Sequence, residues 1–330
     1  MFIINPAAGR AGATDLIPAI HRYFKTHGGS YEIALSAYEH HAMYLAKQYA
    51  QAGFPVRLYA CGGDGTLFDV VNGSAGYSNV EIGVIPFGSG NDFIRTFGDT
   101  SRFLDLNAQV CGSAIPVDLI RFEDIYAINA CSLGMDAAVV YHKNKRKWLH
   151  QVAGAMAYSA ALFISFLSDL KNHFIVTIED EAPIERDFLF VVAANGRFYG
   201  GGYQPAPGAL LDDGLMDVLL VNAVSRTKVL SMLSKYRKGL HVSNSALCTL
   251  RTVRKLTVQA THPVPVNIDG EIYHREKAEF ELLPHAAQFI LPAMVTAKDA
   301  RLEKLRRAMG PMPRYDCERR EREETSTLES

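Results

Sequence analysis

A single carboxylate stands among glycines in Gly62-Gly63-Asp64-Gly65-Thr66. Glycine lets backbone N–H groups approach a ligand with no Cβ in the way. Residues 56–61 before it form an apolar run that predicts a buried strand, and residues 67–73 after it predict a helix ending on Gly73. The turn would therefore open a helix, whose N-terminus attracts anions. Asp64 would be repelled by a bare phosphate but is useful if Mg²⁺ lies between the two. A second such turn, Phe87-Gly88-Ser89-Gly90-Asn91-Asp92, follows a predicted strand over residues 80–86. The Ser89 hydroxyl and Asn91 amide could hydrogen-bond a nucleotide. Asp92 is either a helix N-cap or a second holder of Mg²⁺. A third turn, Asn5-Pro6-Ala7-Ala8-Gly9-Arg10, follows the apolar strand 1–4. There the backbone around Gly9 and the Arg10 guanidinium could meet phosphate, although most arginines are simply solvated. One glycine turn alone is ordinary. Three after strands, two of them acidic, favour a nucleoside triphosphate. No GxxxxGK[ST] and no GxGxxG occurs, which excludes a P-loop enzyme and weighs against a dinucleotide oxidoreductase.

The elements that must position these turns alternate. Helices are predicted over residues 14–27 and 40–52, and a strand over 31–35 leads to Ser36. Strand–helix alternation with short connections predicts a parallel, doubly wound α/β sheet, with ligands at its carboxyl edge. From Val117 onward the pattern becomes strand-rich, with period-two alternation in several segments. Only residues 144–170 and 225–240 look helical. That predicts an antiparallel β-sandwich second domain. We set the domains at 1–116 and 117–295, with the last strand, 288–292, a candidate to return to the first domain. A charged tail follows over 296–330, too polar to bury much.

Composition sets the outer limits. The 330 residues are 48 % hydrophobic and 21 % charged, with a formal net charge of −1, so no global field calls for nucleic acid. Five scattered cysteines without a CxxC pair argue against a disulfide framework or structural zinc and fit a reducing cytoplasm. The N-terminus does not read as a signal peptide. The uncharged run 148–168 contains His150, Gln151 and Gly154 and reads as a buried helix rather than a membrane span. Lys145-Arg146-Lys147-Trp148 before it could touch an anionic bilayer or be a solvated charge run.

Three clusters in the second half could carry chemistry. Residues 195–203 are too glycine-rich for a plain strand end, and either wall a crevice or form a bulged hairpin. Leu211-Asp212-Asp213-Gly214-Leu215-Met216-Asp217 could offer oxygens to a hard cation, or be an Asp-Gly turn. Asn267-Ile268-Asp269-Gly270-Glu271 could be a β-turn, or could supply a general base beside a cleft.

FIINPAAGR, GGDGTLFDVVNG, IGVIPFGSGNDFIRTFG, ANGRFYGGGYQPAPGALLDDGLMDV and NIDGE together resemble the diacylglycerol kinase catalytic-domain family, in particular the soluble bacterial lipid kinases. The likeness runs from residue 2 to about 292. GGDGT alone is shared with NAD kinases and, distantly, phosphofructokinases. The GSGND, GGG…DDG and DGE elements are the specific ones. The resemblance implies a nucleotide domain like that of NAD kinase and phosphofructokinase. It implies ATP binding by Asn5, Gly9, Arg10, Ser36, Gly62, Gly63, Asp64, Gly65, Thr66, Leu67, Phe68, Ser89 and Asn91. It further implies a structural Mg²⁺ held by Asp213 and main-chain oxygens near Leu210 and Leu215. A proton acceptor is implied in NIDGE, Asp269 or Glu271, with Glu271 the formal assignment. Ser36 and Ser89 stand for the family's usual threonines, Asp69 for its glutamate and Phe68 for its asparagine.

The activity expected is ATP-dependent phosphorylation of a lipid hydroxyl, with diacylglycerol converted to phosphatidic acid in phospholipid metabolism. Asp64 and Asp92 would organise catalytic Mg²⁺. The expected setting is cytoplasmic, with peripheral contact at the inner membrane face, and a homodimer is compatible with the sequence. The alternatives are an NAD kinase-like phosphotransferase and a non-catalytic nucleotide- or lipid-binding regulator.

Overall fold

The structure is a computed structural model that describes residues 1–9, 12–135, 137–138, 140–141, 171–244 and 246–293. Arg10, the expected helix 144–170 with its Lys145–Trp148 cluster, and the charged tail 296–330 lie outside the described residues.

The first 100 or so residues fold as read, because three of their four strands are apolar and largely buried, while the edge strand at 33–35 is partly exposed. Strands β1 (Phe2–Ile4), β2 (Ile33–Leu35), β3 (Val56–Gly62) and β4 (Val80–Pro86) are parallel, in the order β4-β3-β1-β2. Alternate residues serve two cores. Phe2, Ile4, Tyr59 and Cys61 pack with Leu16 and Ile20 of α1 (Leu16–His27). Ile3, Leu58 and Ala60 pack with Ala42, Ala46, Val70 and Val71 of α2 (His41–Gln51) and α3 (Asp64–Ser74). Helices on both faces make the sheet doubly wound, the arrangement that near-continuous apolar strands require. Helix α3 departs from the expectation at both ends. It begins on Asp64 itself, and Gly73 lies inside it rather than capping it. A Cβ at Gly73 would run into the Met43 carbonyl and Ala46 of α2, so this glycine permits close helix packing instead of ending the helix.

The second half is an antiparallel β-sandwich. Short helices α4 (Asp92–Arg95) and α5 (Leu106–Val110) lead into β5 (Ser113–Phe122), β6 (Ile125–Ala127) and β7 (Ala130–Gly134). Then come β8 (Asn172–Ile178), β9 (Ile184–Ala194), β10 (Met216–Asn222), α6 (Arg226–Arg237), β11 (Cys248–Val253), β12 (Lys255–Ile268) and β13 (Glu271–Leu291). Strands β9 and β12 each pair with β8 at one end and β7 at the other. This wraps the strands around a core that includes Phe122, Phe174, Phe188, Val218, Val258 and Phe280. The opposite face of β9 and β10 is covered by Val229 and Met232 of α6. Strand β11 was not foreseen. It is an edge strand paired only to β10 among the described residues, and its exposed Thr249, Arg251 and Thr252 dilute the apolar signal.

The expected last strand, 288–292, is not a separate strand but the end of β13. β13 pairs with β12 along its first half and with β5 along its second, and at Phe289 it lies parallel to Ile82 of β4. A bulge interrupts the pairing with β5, with Leu119 opposite Leu283 but Val117 opposite Ala287. His285 sits there at φ 53°. Asp118, fully buried, holds this bulge. One oxygen accepts the His285 N–H at 2.7 Å and the other accepts the Gly214 N–H at 2.8 Å. Burial pushes its carboxyl above the usual range. Residues 106–117, next to the expected division at 116/117, therefore carry helix α5 and the start of a strand shared by both halves. Asp118→Ala removes both acceptors and leaves the His285 and Gly214 N–H groups without their partner. It is expected to cost about 2–4 kcal/mol, the scale for disrupting a buried charged hydrogen-bond network. A denaturant midpoint unchanged from wild type would contradict this role.

Candidate active site

The three glycine turns meet at the carboxyl edge of the parallel sheet, because each follows one of three neighbouring strands. Asn5 N–H donates to the Cys61 carbonyl at 3.0 Å, and its amide reaches the Thr66 hydroxyl at 3.3 Å. Phe87 N–H donates to the Gly62 carbonyl at 2.8 Å. Gly63 and Gly88 touch backbone to backbone, since a Cβ on Gly88 would lie 2.5 Å from the Gly63 Cα. Only glycine at both positions allows the second and third strand ends to close on each other.

That contact brings the two acidic turns together. The Asp92 N–H donates to Asp64 Oδ1 at 2.9 Å. Asp92 is buried, with its Oδ2 accepting the Gly201 N–H at 2.7 Å and its Oδ1 3.3 Å from the Arg95 guanidinium. Gly201 belongs to the 195–203 segment, so Asp92 ties the nucleotide side to the β-rich side. Burial, and then the Asp92 carboxylate, push the Asp64 carboxyl up to about 7. Crowded, partly neutralised carboxylates are what a divalent cation relieves, so Asp64 and Asp92 fit Mg²⁺.

The opposite wall is the hairpin between β12 and β13. Asp269 (φ 48°) and Gly270 (φ 104°) form its two-residue turn with both φ positive, the type I′ pattern that favours Asp-Gly. The Asp269 carboxylate is engaged by three amides. Ile128 donates to Oδ2 at 2.7 Å, Ala130 to Oδ1 at 2.7 Å, and Asn129 to both at 3.2 Å. Burial still raises its carboxyl to about 6. Glu271 is half-buried, and burial raises it too, offset first by His40. A cleft of about 350 Å³ lies between these walls. Gly63, Asp64, Gly65, Leu67, Ser89, Asp92, Asp269 and Glu271 all line it.

Other expected residues sit elsewhere. Phe68 is 1 % exposed and its side chain packs in the sandwich core, so any contact it makes with a nucleotide would be through its main chain. An apolar residue at that helix position joins the two halves rather than facing the ligand. Thr66 is buried and braces Asn5. Asn91 is left-handed (φ 49°), with its amide on the Gly88 carbonyl at 2.7 Å, so it shapes its own turn. Ser36 follows β2, its N–H on the Ile4 carbonyl at 2.9 Å, and Gly9 lies against Phe87. Neither lines the cleft.

The 210–217 loop forms a separate acidic site. Asp213 accepts the Leu215 N–H at 3.1 Å, and Asp217 is raised to about 6 by burial and then by Asp213. This carboxylate pair, with the nearby Leu210 and Leu215 main chain, fits a hard cation.

The match to known sequences follows these two halves. Residues 1–122 match the diacylglycerol kinase catalytic domain, and residues 129–291 match the YegS C-terminal NAD kinase beta sandwich-like domain. A probable lipid kinase YegS-like of Shewanella frigidimarina is 31 % identical over 72 % of this chain and 76 % of that protein. The chain belongs to the diacylglycerol kinase catalytic-domain family. This lipid-kinase family member is also 28 % identical to a diacylglycerol kinase of Mycobacterium tuberculosis, over 88 % of this chain and 94 % of that one. Its fold matches the crystal structure of a putative diacylglycerol kinase from Bacillus anthracis with a TM-score of 0.71 at 22 % identity, over 89 % of this chain and 97 % of that one. Among the described residues of the kinase, no helix is long and apolar enough to cross a membrane.

Several groups that shape the candidate cleft or support the strands around it carry no sequence signal. The amides of residues 128–130 and Gly201 carry no side-chain signal. Asp118 looks like any polar residue in a strand. His40 and Glu39 lie near Glu271, with ligand atoms of all three within 4.8 Å. Nothing in their spacing along the chain pointed to a residue more than two hundred positions away.

Proposed function

We propose that this chain transfers the γ-phosphoryl group of ATP to a lipid hydroxyl, with diacylglycerol the first candidate acceptor and phosphatidic acid the product. The observation that carries this reading is the cleft itself. The amide-linked Asp64–Asp92 pair stands on one wall and the Glu271 hairpin on the other, with Asp92 tied across to Gly201. Family membership adds the acceptor class.

In this reading the polyphosphate lies over the Gly63–Gly88 contact. Backbone amides there, and Arg10 in the first turn, balance its charge. Mg²⁺ held by Asp64 and Asp92 would neutralise the phosphates and the charge developing on the transferred group. Glu271 takes the acceptor proton. Asp269 has both oxygens committed to amides, so its part is to set the hairpin against residues 128–130. The acceptor oxygen forms a bond to Pγ, the bond from Pγ to the bridging oxygen breaks, and ADP leaves. Positioning and electrostatics do the work, as phosphoryl transfer generally requires. A second Mg²⁺ at Asp213, Leu210 and Leu215 would brace the loop before β10.

An apolar cavity of about 50 Å³ lies between β9, β10 and α6, lined by Leu189, Val221, Val229, Met232 and Leu247. Tyr199 lines both this cavity and the cleft, and its hydroxyl lies 2.6 Å from that of Tyr236 on α6. Incubation with γ-labelled ATP and either NAD or extracted lipids tests the reading. Label is expected in the organic phase. Label in NADP with none in lipid would replace the lipid assignment by an NAD kinase one.

A further inference from the structure

His40 is an odd residue to find where it is. It immediately precedes α2 in the left-handed conformation (φ 59°), which costs a non-glycine residue free energy and is held only by its surroundings. Here the surroundings are specific. The ring Nδ1 lies 2.8 Å from Oδ1 of Asp69. Asp69 is 9 % exposed and sits on α3, the helix that begins with Asp64. The Glu271 and Glu39 carboxylates lie close by, with one ligand atom from each of the three residues within 4.8 Å of the others. His40 therefore bridges the helix that carries the phosphate-side acid and the hairpin that carries the acceptor-side acid.

We propose that His40 is a positioning residue for Glu271. Anchored by Asp69, it sets an imidazole within 4.8 Å of the Glu271 carboxylate and supplies the positive charge that keeps it ready to accept the acceptor proton. This inference rests on the lipid-kinase reading. The charged and titratable groups around the pair are Asp69 from α3, Glu39 from the same loop as His40, and Tyr273 from β13. Asp69 bonding raises the His40 imidazole, so its charge persists nearer neutrality. That charge opposes the upward pull that burial, Glu39 and Asp69 exert on Glu271. The sign follows: without His40, Glu271 needs a higher pH to ionise.

His40→Gly accepts the left-handed backbone without cost, and His40→Asn tolerates it, so both should fold. In each, kcat is expected to fall roughly tenfold, a fraction of the ~10²–10⁴ that a positioned base contributes. KM for ATP is expected to stay within about twofold, because the ring touches no nucleotide-side turn. The acid limb of the kcat profile should move up by about half a pH unit, as loss of one charge at this separation dictates. Imidazole added to His40→Gly should restore kcat, since the ring is 43 % exposed and leaves an open hole. A His40→Gly enzyme with wild-type kcat and acid limb would overturn the assignment. So would a loss of kcat that imidazole leaves unchanged while Tm falls with it. Wild type and Glu271→Gln are run alongside. If wild type phosphorylates no lipid, the parent reading falls and this inference with it. If wild type is active and Glu271→Gln is not, while His40→Gly matches wild type, this inference falls alone.

Discussion

Asp64→Asn is expected to reduce lipid phosphorylation by about 10³-fold or more, some 4 kcal/mol of transition-state stabilisation, while leaving the fold intact. The substitution keeps the size of the side chain and an oxygen that can still accept the Asp92 N–H. It removes the charge that would hold Mg²⁺ against the phosphates. Its effect on stability should have the opposite sign. Burial and Asp92 raise the Asp64 carboxyl from the ordinary range near 4 to about 7, so its ionised form is a cost to the folded, metal-free protein. That cost is absent below about pH 4, grows between pH 4 and 7, and is complete above pH 7. Metal-free Asp64→Asn should therefore melt at a higher temperature than wild type at pH 8, with the gap closing toward pH 4. Thermal melts across that range in chelator check it. A variant that melts lower at pH 8, or that keeps wild-type turnover, would remove Asp64 from its proposed place.

Glu271→Gln should lower kcat by about 10²–10⁴-fold, the usual contribution of a positioned general base. Asp269→Asn should behave differently. Asp269 accepts N–H groups from residues 128–130, so its loss should loosen the turn between β6 and β7 and show in stability as well as rate. For Glu271→Gln, KM for ATP and Tm should be near wild type, because its carboxylate braces no backbone amide among the described residues. Steady-state kinetics and melts on the two variants separate the base from its neighbour. Equal rate losses with a stability loss only in Glu271→Gln would reverse the two roles.

The nucleotide half was legible because its physics is local. A parallel strand buried on both faces is a continuous apolar run, and the glycine turn after it marks the strand end. Gly63–Asp64 and Gly88–Asp92 could be picked out from those two facts. Their mutual contact could not, although it is the reason two glycines were needed. The β-rich half was legible as strands but not as a strand order. A last strand is expected over 288–292, whereas β13 reaches Leu291 through a bulge between Leu283 and Ala287 that the chain pattern does not reveal. Only Asp118, distant in sequence, shows that β13 continues through to Leu291. Phe68 stands in a nucleotide-binding motif, but its side chain serves the core, which the motif alone does not reveal. His40 was invisible because its importance comes from Asp69 and Glu271, on two other elements.

The most direct test is to give the full-length protein ATP, Mg²⁺ and vesicles containing diacylglycerol and other hydroxyl lipids, and to identify products by mass. Phosphorylated lipid, led by phosphatidic acid, should appear with wild type and be lost with Asp64→Asn. No phosphorylated lipid from any acceptor, or equal product from Asp64→Asn, would contradict the account.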